Sequence, residues 1–285
     1  MPVPDSDLKK NDGLIIPEVG PWVIDKHKKI AYYSSLFATS MKRRWDCRVY
    51  IDLFAGAVKV RKEGTKKILP GSPFLALNIN FPFNKYIFCE NDSEKLNALE
   101  RRVKIYFPER DCEFILGDSN DRIEDILKAI PRYSRNFKVL TFCLIDPYKS
   151  ADIRFDTIKQ LAENIFIDFM MLIPTYMDIN RNIYHYMKPD NSALDKYLGN
   201  VSWREKWLNA QRKDREFGIF IAVSLCEQMK RLGYLFESIY DLELVRMETG
   251  KNLPLYHLAF FSRNRLGMKF WRTTKKSTSD QQTLW

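Results

Sequence analysis

Val49-Tyr50-Ile51-Asp52-Leu53-Phe54-Ala55-Gly56 is an apolar run that ends in an acid and then a small-residue turn. The run reads as a strand, because β-branched and aromatic side chains fill a pleated, buried surface well. The glycine after it lets the backbone approach a ligand with no Cβ in the way. Three more acids follow apolar runs of their own. Glu90 comes after Tyr86-Ile87-Phe88-Cys89, Asp118 after Phe114-Ile115-Leu116-Gly117, and Asp146 after the run from Val139 to Ile145. Ligands of open α/β sheets sit at the carboxyl ends of the strands. Acids at successive strand ends therefore predict one crevice.

Outward from this stretch, strands and helices alternate. Further strands are expected over Lys85–Cys89, Cys112–Leu116 and Val139–Ile145, and helices over Ser93–Phe107, Asp121–Ile130 and Phe155–Glu163. Ser72-Pro73 opens a short helix, with serine as cap and proline in the first turn. Ile165–Ile173 is apolar except for Asp168, the pattern of a strand buried on both faces. Upstream, Trp22, Ile30, Tyr33, Phe37 and Met41 share one face of a helix expected over Trp22–Trp45. Its other face carries Lys26, Lys28, Lys29, Lys42, Arg43 and Arg44. Downstream, Phe217–Leu232 reads as a helix stopped by Gly233. Glu237–Glu248 and Leu255–Arg263 read as strands, and Gly267–Arg272 as an extension of the last one. Residues 57–71 read as a basic loop, residues 1–21 (with Pro2, Pro4, Pro17 and Pro21) as a flexible lead-in, and Thr273–Trp285 as a loose tail.

Composition narrows the function classes. The formal net charge of +10 on 285 residues favours a polyanionic partner, and DNA or RNA is the natural one. The five cysteines (Cys47, Cys89, Cys112, Cys143 and Cys226) contain no CxxC pair, which argues for reduced core thiols rather than zinc or disulfides. His27, His185 and His257 lack metal-ligand spacing, so no metal site is expected. Gly64-Thr65-Lys66-Lys67 lacks the spacing of a phosphate-binding loop. No apolar run has the length of a membrane span, and the polar start has no export signal, so a cytoplasmic location and no membrane partner are expected.

Asp146-Pro147-Tyr148 is the chemical candidate. A planar amine delocalises its lone pair into the ring it sits on. A carboxylate and a backbone carbonyl that accept its N–H bonds would make the nitrogen more nucleophilic, and an aromatic side chain would stack on an extruded base. Basic residues Lys59, Arg61, Lys62, Lys66, Lys67 and Lys149 are the expected phosphate contacts. Trp203 and Trp207, one helical turn apart, either stack bases or pack a helix.

Taken together, the order of elements resembles the class I S-adenosylmethionine-dependent methyltransferases. More narrowly it resembles the three-Cys-motif partner protein family. The residues that carry the resemblance are Val19-Gly20-Pro21-Trp22 with Asp25-Lys26, Tyr50–Gly56, Gly71-Ser72-Pro73, Glu90, Asp146-Pro147-Tyr148 and Tyr256-His257-Leu258. The resemblance implies an α/β, Rossmann-like fold with a mostly parallel central sheet and a C-terminal antiparallel strand pair. An N-terminal helix and a mixed insertion are added to it. The expected organisation is a lead-in and basic helix (1–48), a cofactor-binding core (49–173), an insertion or cap (174–216), a helix and strand pair completing the core (217–272) and a tail (273–285).

The implied cofactor is S-adenosylmethionine, held by Asp52, Phe54, Ala55, Gly56, Glu90, Asn91, Asp118 and Ser119. The implied partners are nucleic acid and a three-Cys-motif protein. Two departures stand out. The family follows the first glycine with Pro-Gly or a small-Gly pair, but this chain has Ala57-Val58, and a β-branched residue resists positive φ. Lys149 stands where glycine is common. They leave as an alternative a catalytically inactive protein of this fold that binds nucleic acid or protein. A nuclease built on Asp118, Glu124 and Asp146 ranks below both.

Overall fold

The computed structural model describes residues 11–20, 23–247 and 252–280, without the side chains of 25 and 276–280. Pro2, Pro4, Pro21, Trp22, Thr249-Gly250-Lys251 and the chain beyond 280 lie outside the described residues. The described elements begin with β1 (Glu18–Val19), α1 (Val23–Met41), β2 (Cys47–Asp52), β3 (Lys59–Lys62), β4 (Ile68–Pro70) and α2 (Ser72–Leu77). Next come β5 (Lys85–Glu90), α3 (Ser93–Tyr106), β6 (Cys112–Leu116), α4 (Ile123–Ala129) and β7 (Val139–Ile145). They continue with α5 (Phe155–Asn164), β8 (Ile167–Ile173), α6 (Ile183–Tyr186), α7 (Ala193–Leu198), α8 (Trp203–Asn209) and α9 (Phe217–Arg231). The last are β9 (Glu243–Arg246), β10 (Pro254–Phe261) and α10 (Arg265–Asp280).

The central sheet has seven strands in the order β6-β5-β2-β7-β8-β10-β9. β2 pairs in parallel with β5 and β7, and β5 with β6, whereas β10 runs antiparallel to β8 and β9. The first long strand lies inside the sheet and the order reverses beside it, which makes the β2/β7 boundary the switch point of a doubly wound fold. This is the Rossmann-like class I architecture that the sequence implies. By internal contacts the chain divides into two compact units, residues 1–144 with 165–167 and 269–285, and residues 145–164 with 168–268.

In the first unit, α1 lies on the sheet through aromatic packing. Tyr33 and Phe37 are one turn apart, and their rings sit 5.1 and 5.5 Å from that of Phe142 on β7. Tyr50 on β2 joins them 5.9 Å from Phe142. Such ring pairs contribute about 0.5–1.5 kcal/mol each beyond the burial itself. On α3, Asp92 caps the start by accepting the amides of Glu94 and Lys95 at 2.9 and 3.2 Å.

Three segments differ from the expectations. The basic stretch 57–71 is a two-stranded ribbon, β3 against β4, which β1 extends into a three-stranded sheet. Residues 11–19 are pinned, not flexible. Arg102 of α3, fully buried, takes both carboxylate oxygens of Asp12 at 2.8 and 2.9 Å and also donates to the carbonyls of Leu14, Ile15 and Ala57. Lys59, also fully buried, reaches the same carboxylate at 2.9 Å. Finally, Arg265–Asp280 is a helix where an extended strand and a loose tail were expected. Its apolar residues include buried Met268 and Trp271, spaced for a helix and not for a strand.

In the second unit, Trp203 and Trp207 are buried and pack on Phe217, with ring centroids 5.8 and 5.1 Å away. They fill a helical core and offer no face to a base. Asp168, the polar break in β8, is pushed up to about 7 by burial, against the Ser262 hydroxyl that bonds it. The five thiols are free. Burial raises all of them, with Cys89 and Cys112 pushed up to about 12.

The Arg102 guanidinium and the Lys59 ammonium hold the Asp12 carboxyl well below the usual carboxylate range. A depressed acid adds stability above its unfolded value near 4, and that stability is lost as pH falls below it. Asp12→Asn leaves two buried cations without their anion and is expected to cost about 3 kcal/mol at neutral pH. In urea titrations the gap between variant and parent should close as pH drops from 5 towards 2. A constant gap would show that the carboxylate charge is not what stabilises the cluster.

Candidate functional site

β2 delivers Asp52 at its last residue, register-paired with Phe88 on β5 and Leu144 on β7. Asp52 is fully buried. One carboxylate oxygen accepts the Phe54 amide at 3.2 Å and the other the Tyr50 hydroxyl at 3.4 Å. Its place is inside the turn, which it shapes. The chain then passes Ala55, whose amide donates to the Cys89 carbonyl at 3.0 Å, and reaches Gly56 at φ +67°. A Cβ at Gly56 would meet no atom within 4 Å.

Val58 does what its side chain resists. It takes φ +71°, the left-handed region, and is buried. The expected obstacle to a glycine-like loop path is thus overcome by the surroundings. Ala57 gives its carbonyl to Arg102, and the Val58 carbonyl accepts the Gly71 amide at 2.5 Å. A Cβ on Gly71 would sit 3.0 Å from that carbonyl oxygen. The two stretches Ala55–Val58 and Gly71-Ser72-Pro73, well separated in sequence, therefore form one structure. Gly71 stands at the cap position of α2, with Ser72 and Pro73 buried in its first turn.

Glu90 ends β5 and is buried. Its Oε2 accepts the Gly56 amide at 2.8 Å and its Oε1 the amide of Asp92 at 3.0 Å. Each carboxylate oxygen has room for about two hydrogen bonds, so both keep acceptor capacity. Asn91, beside it, is exposed. The third strand's loop starts when the Gly117 amide donates to the Glu90 carbonyl at 3.0 Å. Asp118 is a residue type suited to capping a helix, but α4 starts only at Ile123, and Asp118 Oδ1 instead accepts both the amide and the side-chain amide of Asn120 at 2.8 Å. Ser119 is 3% exposed, and its hydroxyl has no hydrogen-bond partner among the described residues. Such a group costs about 1–3 kcal/mol when left unmade. Glu90 thus joins the turns after β2 and β5, while the sequence alone offered no sign of the Ser119 orphan.

In the second unit, Asp146 directly follows β7 and is half-buried, Pro147 is buried and Tyr148 is 77% exposed. The loop is held from below. Asp178 is buried and accepts the Ser150 amide and hydroxyl at 2.8 Å, together with the Tyr186 hydroxyl. His257 meets the Thr175 hydroxyl at 3.0 Å through Nδ1, and burial lowers it to about 4, so it stays neutral.

The expected basic surface loses one member. Lys59 is buried in the Asp12 pair and cannot meet a phosphate. Arg61 and Lys62 are half-buried, and Lys66, Lys67 and Lys149 are exposed. Arg61 and Lys66 line a groove of about 670 Å³ with Asn11, Ile16 and Glu18. Among the described residues, no three His, Cys, Asp or Glu side chains gather as metal ligands, and no helix is long and apolar enough to cross a membrane.

Gly56→Ala should cost about 1–2 kcal/mol, the strain of a left-handed residue in open space. Gly71→Ala should cost more, because its Cβ meets backbone that Val58 already holds under strain. Equal losses in chemical unfolding would show that the Val58 carbonyl moves aside freely.

No family model matches the chain, and no curated protein matches it. Among solved structures it is similar to Trm1 from Pyrococcus horikoshii in complex with S-adenosyl-L-methionine, at 11% identity and TM-score 0.46, covering 90% of this chain and 61% of that one. It is also similar to magnesium protoporphyrin IX methyltransferase (ChlM) from Synechocystis with bound SAH, at 6% identity and TM-score 0.42, covering 84% of each chain. TYW2 of M. jannaschii in complex with AdoMet matches at 12% identity and TM-score 0.39, covering 86% of this chain and 77% of that one.

Proposed function

We propose that this protein is an S-adenosylmethionine-dependent methyltransferase that acts on nucleic acid, a member of the three-Cys-motif partner protein family. The observation that carries the reading is the bond from Gly56 N–H to Glu90, which joins the first two strand-end turns beside the switch point. The residues present fit the cofactor. Gly56 leaves open space over its backbone, Glu90 keeps acceptor capacity for ribose hydroxyls, and the Ser119 hydroxyl wants a partner that an adenine nitrogen supplies. Val58 supports activity over the inactive alternative, because it follows the path a glycine would take.

When bound, the cofactor supplies an electrophilic methyl group. The chain's own residues do the rest. Phe54, Ala55 and Gly56 provide a close backbone wall, with Asp52 fixing its turn. Glu90 and Asn91 receive the ribose, and Asp118 and Ser119 the base. The Asp146 carboxylate and the Pro147 carbonyl accept the N–H bonds of the target amine, and exposed Tyr148 stacks on its ring. Lys149 beside them takes a phosphate, as do Arg61, Lys62, Lys66 and Lys67. A three-Cys-motif protein is the partner the sequence resemblance supports.

Isothermal calorimetry with S-adenosylmethionine and S-adenosylhomocysteine tests the cofactor. The parent protein should give heat, and Glu90→Gln should weaken binding at least tenfold. Absence of heat with every adenosyl ligand would leave only the fold. A second expectation concerns the surface. Reversing Arg61, Lys62, Lys66 and Lys67 to glutamate should lower the salt slope of polyanion binding by about 0.7 for each phosphate that is no longer neutralised. An unchanged slope would remove this ribbon from the interface.

A further inference from the structure

A cluster of solvent-facing rings lies at the amino ends of the parallel strands, away from every residue assigned above. Phe166, just before β8, is 50% exposed, and Tyr133, before β7, is 43% exposed. Their ring centroids are 4.8 Å apart, and Trp45, just before β2, adds a third ring 5.9 Å from Phe166. Phe137, 43% exposed, closes the turn from Ser134. The backbone locks these stretches together. The Asp46 and Cys47 amides donate to the Lys138 carbonyl at 3.0 Å, the Lys138 amide returns to the Asp46 carboxylate at 2.8 Å, and the Thr141 amide donates to the Phe166 carbonyl at 2.9 Å.

Exposed cations frame the rings. They are Lys42, Arg43, Arg44, Arg132, Arg135 and Lys138, and none of the six makes an ion pair among the described residues. Across residues 41–48, 131–138 and 165–167, Asp46 is the sole acid. Lys42 itself sits 3.6 Å over the ring of exposed Phe81. Exposed aromatics grouped in this way mark an interaction surface. Arginines outnumber lysines here four to two, and the planar guanidinium binds phosphate in a fork and stacks on bases. Base faces are free to stack only in an unpaired strand.

We infer that this face binds single-stranded nucleic acid, with bases on Tyr133, Phe166 and Trp45 and phosphates on the surrounding arginines and lysines. The inference does not depend on the proposed cofactor. β2 spans six residues, which puts this face about 17 Å along the strands from Asp52 at their carboxyl ends. Taken with the proposed function, on which this one step rests, the surface holds strand that flanks the reacting nucleotide, not the nucleotide itself.

Fluorescence anisotropy with labelled thymidylate and uridylate dodecamers and a duplex of the same length tests this on the full chain. Both single strands should bind more tightly than the duplex. Tyr133→Ala should weaken single-strand binding by about tenfold, within the span expected for one stacked base. The double variant Arg132→Glu, Arg135→Glu should flatten the salt dependence. Neither variant should change the heat of S-adenosylmethionine binding or the melting temperature. Equal affinity for the duplex, or single-strand binding that ignores both variants, would overturn the inference. So would polyglutamate binding that falls in both variants while no oligonucleotide binds, since that assigns the face to an acidic protein.

Discussion

The glycine turn after β2 depends on an ion cluster that no local pattern of the sequence announces. Arg102 and Lys59, both fully buried, close on Asp12. Two cations and one anion in an interior are tolerable only with close geometry and further acceptors. The Leu14, Ile15 and Ala57 carbonyls supply those acceptors to Arg102. One guanidinium thereby fastens the lead-in, the helix after β5 and the loop that follows Gly56. Val58 can be held at positive φ because its neighbours on both sides are fixed, Ala57 by Arg102 and Lys59 by Asp12, and its own carbonyl accepts the Gly71 amide. The loop's shape is imposed by tertiary contacts, against the preference of the residue that adopts it.

This division explains what the sequence makes legible. The inner sheet strands are readable because a strand buried on both faces is written as an unbroken apolar run, and β7, buried throughout, matches its expected limits residue for residue. Glu90 stands out by its place after such a run, and the structure joins it to Gly56. The ribbon of β3 and β4 escapes a sequence reading because β3 is mostly charged and β4 is only Ile68-Leu69-Pro70, too short to show an alternation. α10 escapes it because its apolar residues stop at Trp271 and Gly267, packed against Ser262, interrupts its first turn, so the helical spacing rests on few residues, buried Met268 and Trp271 among them. Lys59 looks like its exposed neighbours. Only the fold, by bringing Asp12 and Arg102 together, makes it an interior residue.

The acids at the strand ends have separate duties. Asp52 is buried and bonded to the turn it precedes, Glu90 bridges two turns, and Asp118 folds its own loop around Asn120. Asp146 follows β7 on a loop that Asp178 steadies through Ser150. Similar positions in a sequence pattern thus conceal different degrees of access to solvent. A carboxylate that two amides occupy still accepts hydroxyls, whereas a fully enclosed one sets backbone geometry.

The thiols carry a practical consequence. Cys47, Cys89, Cys143 and Cys226 are buried, Cys112 is half-buried, and all five are shifted away from the thiolate form. Thiolate is the species that attacks electrophiles. A maleimide dye would therefore favour a cysteine engineered into an exposed loop over every native one. Site-selective labelling of the folded protein needs no cysteine-free background.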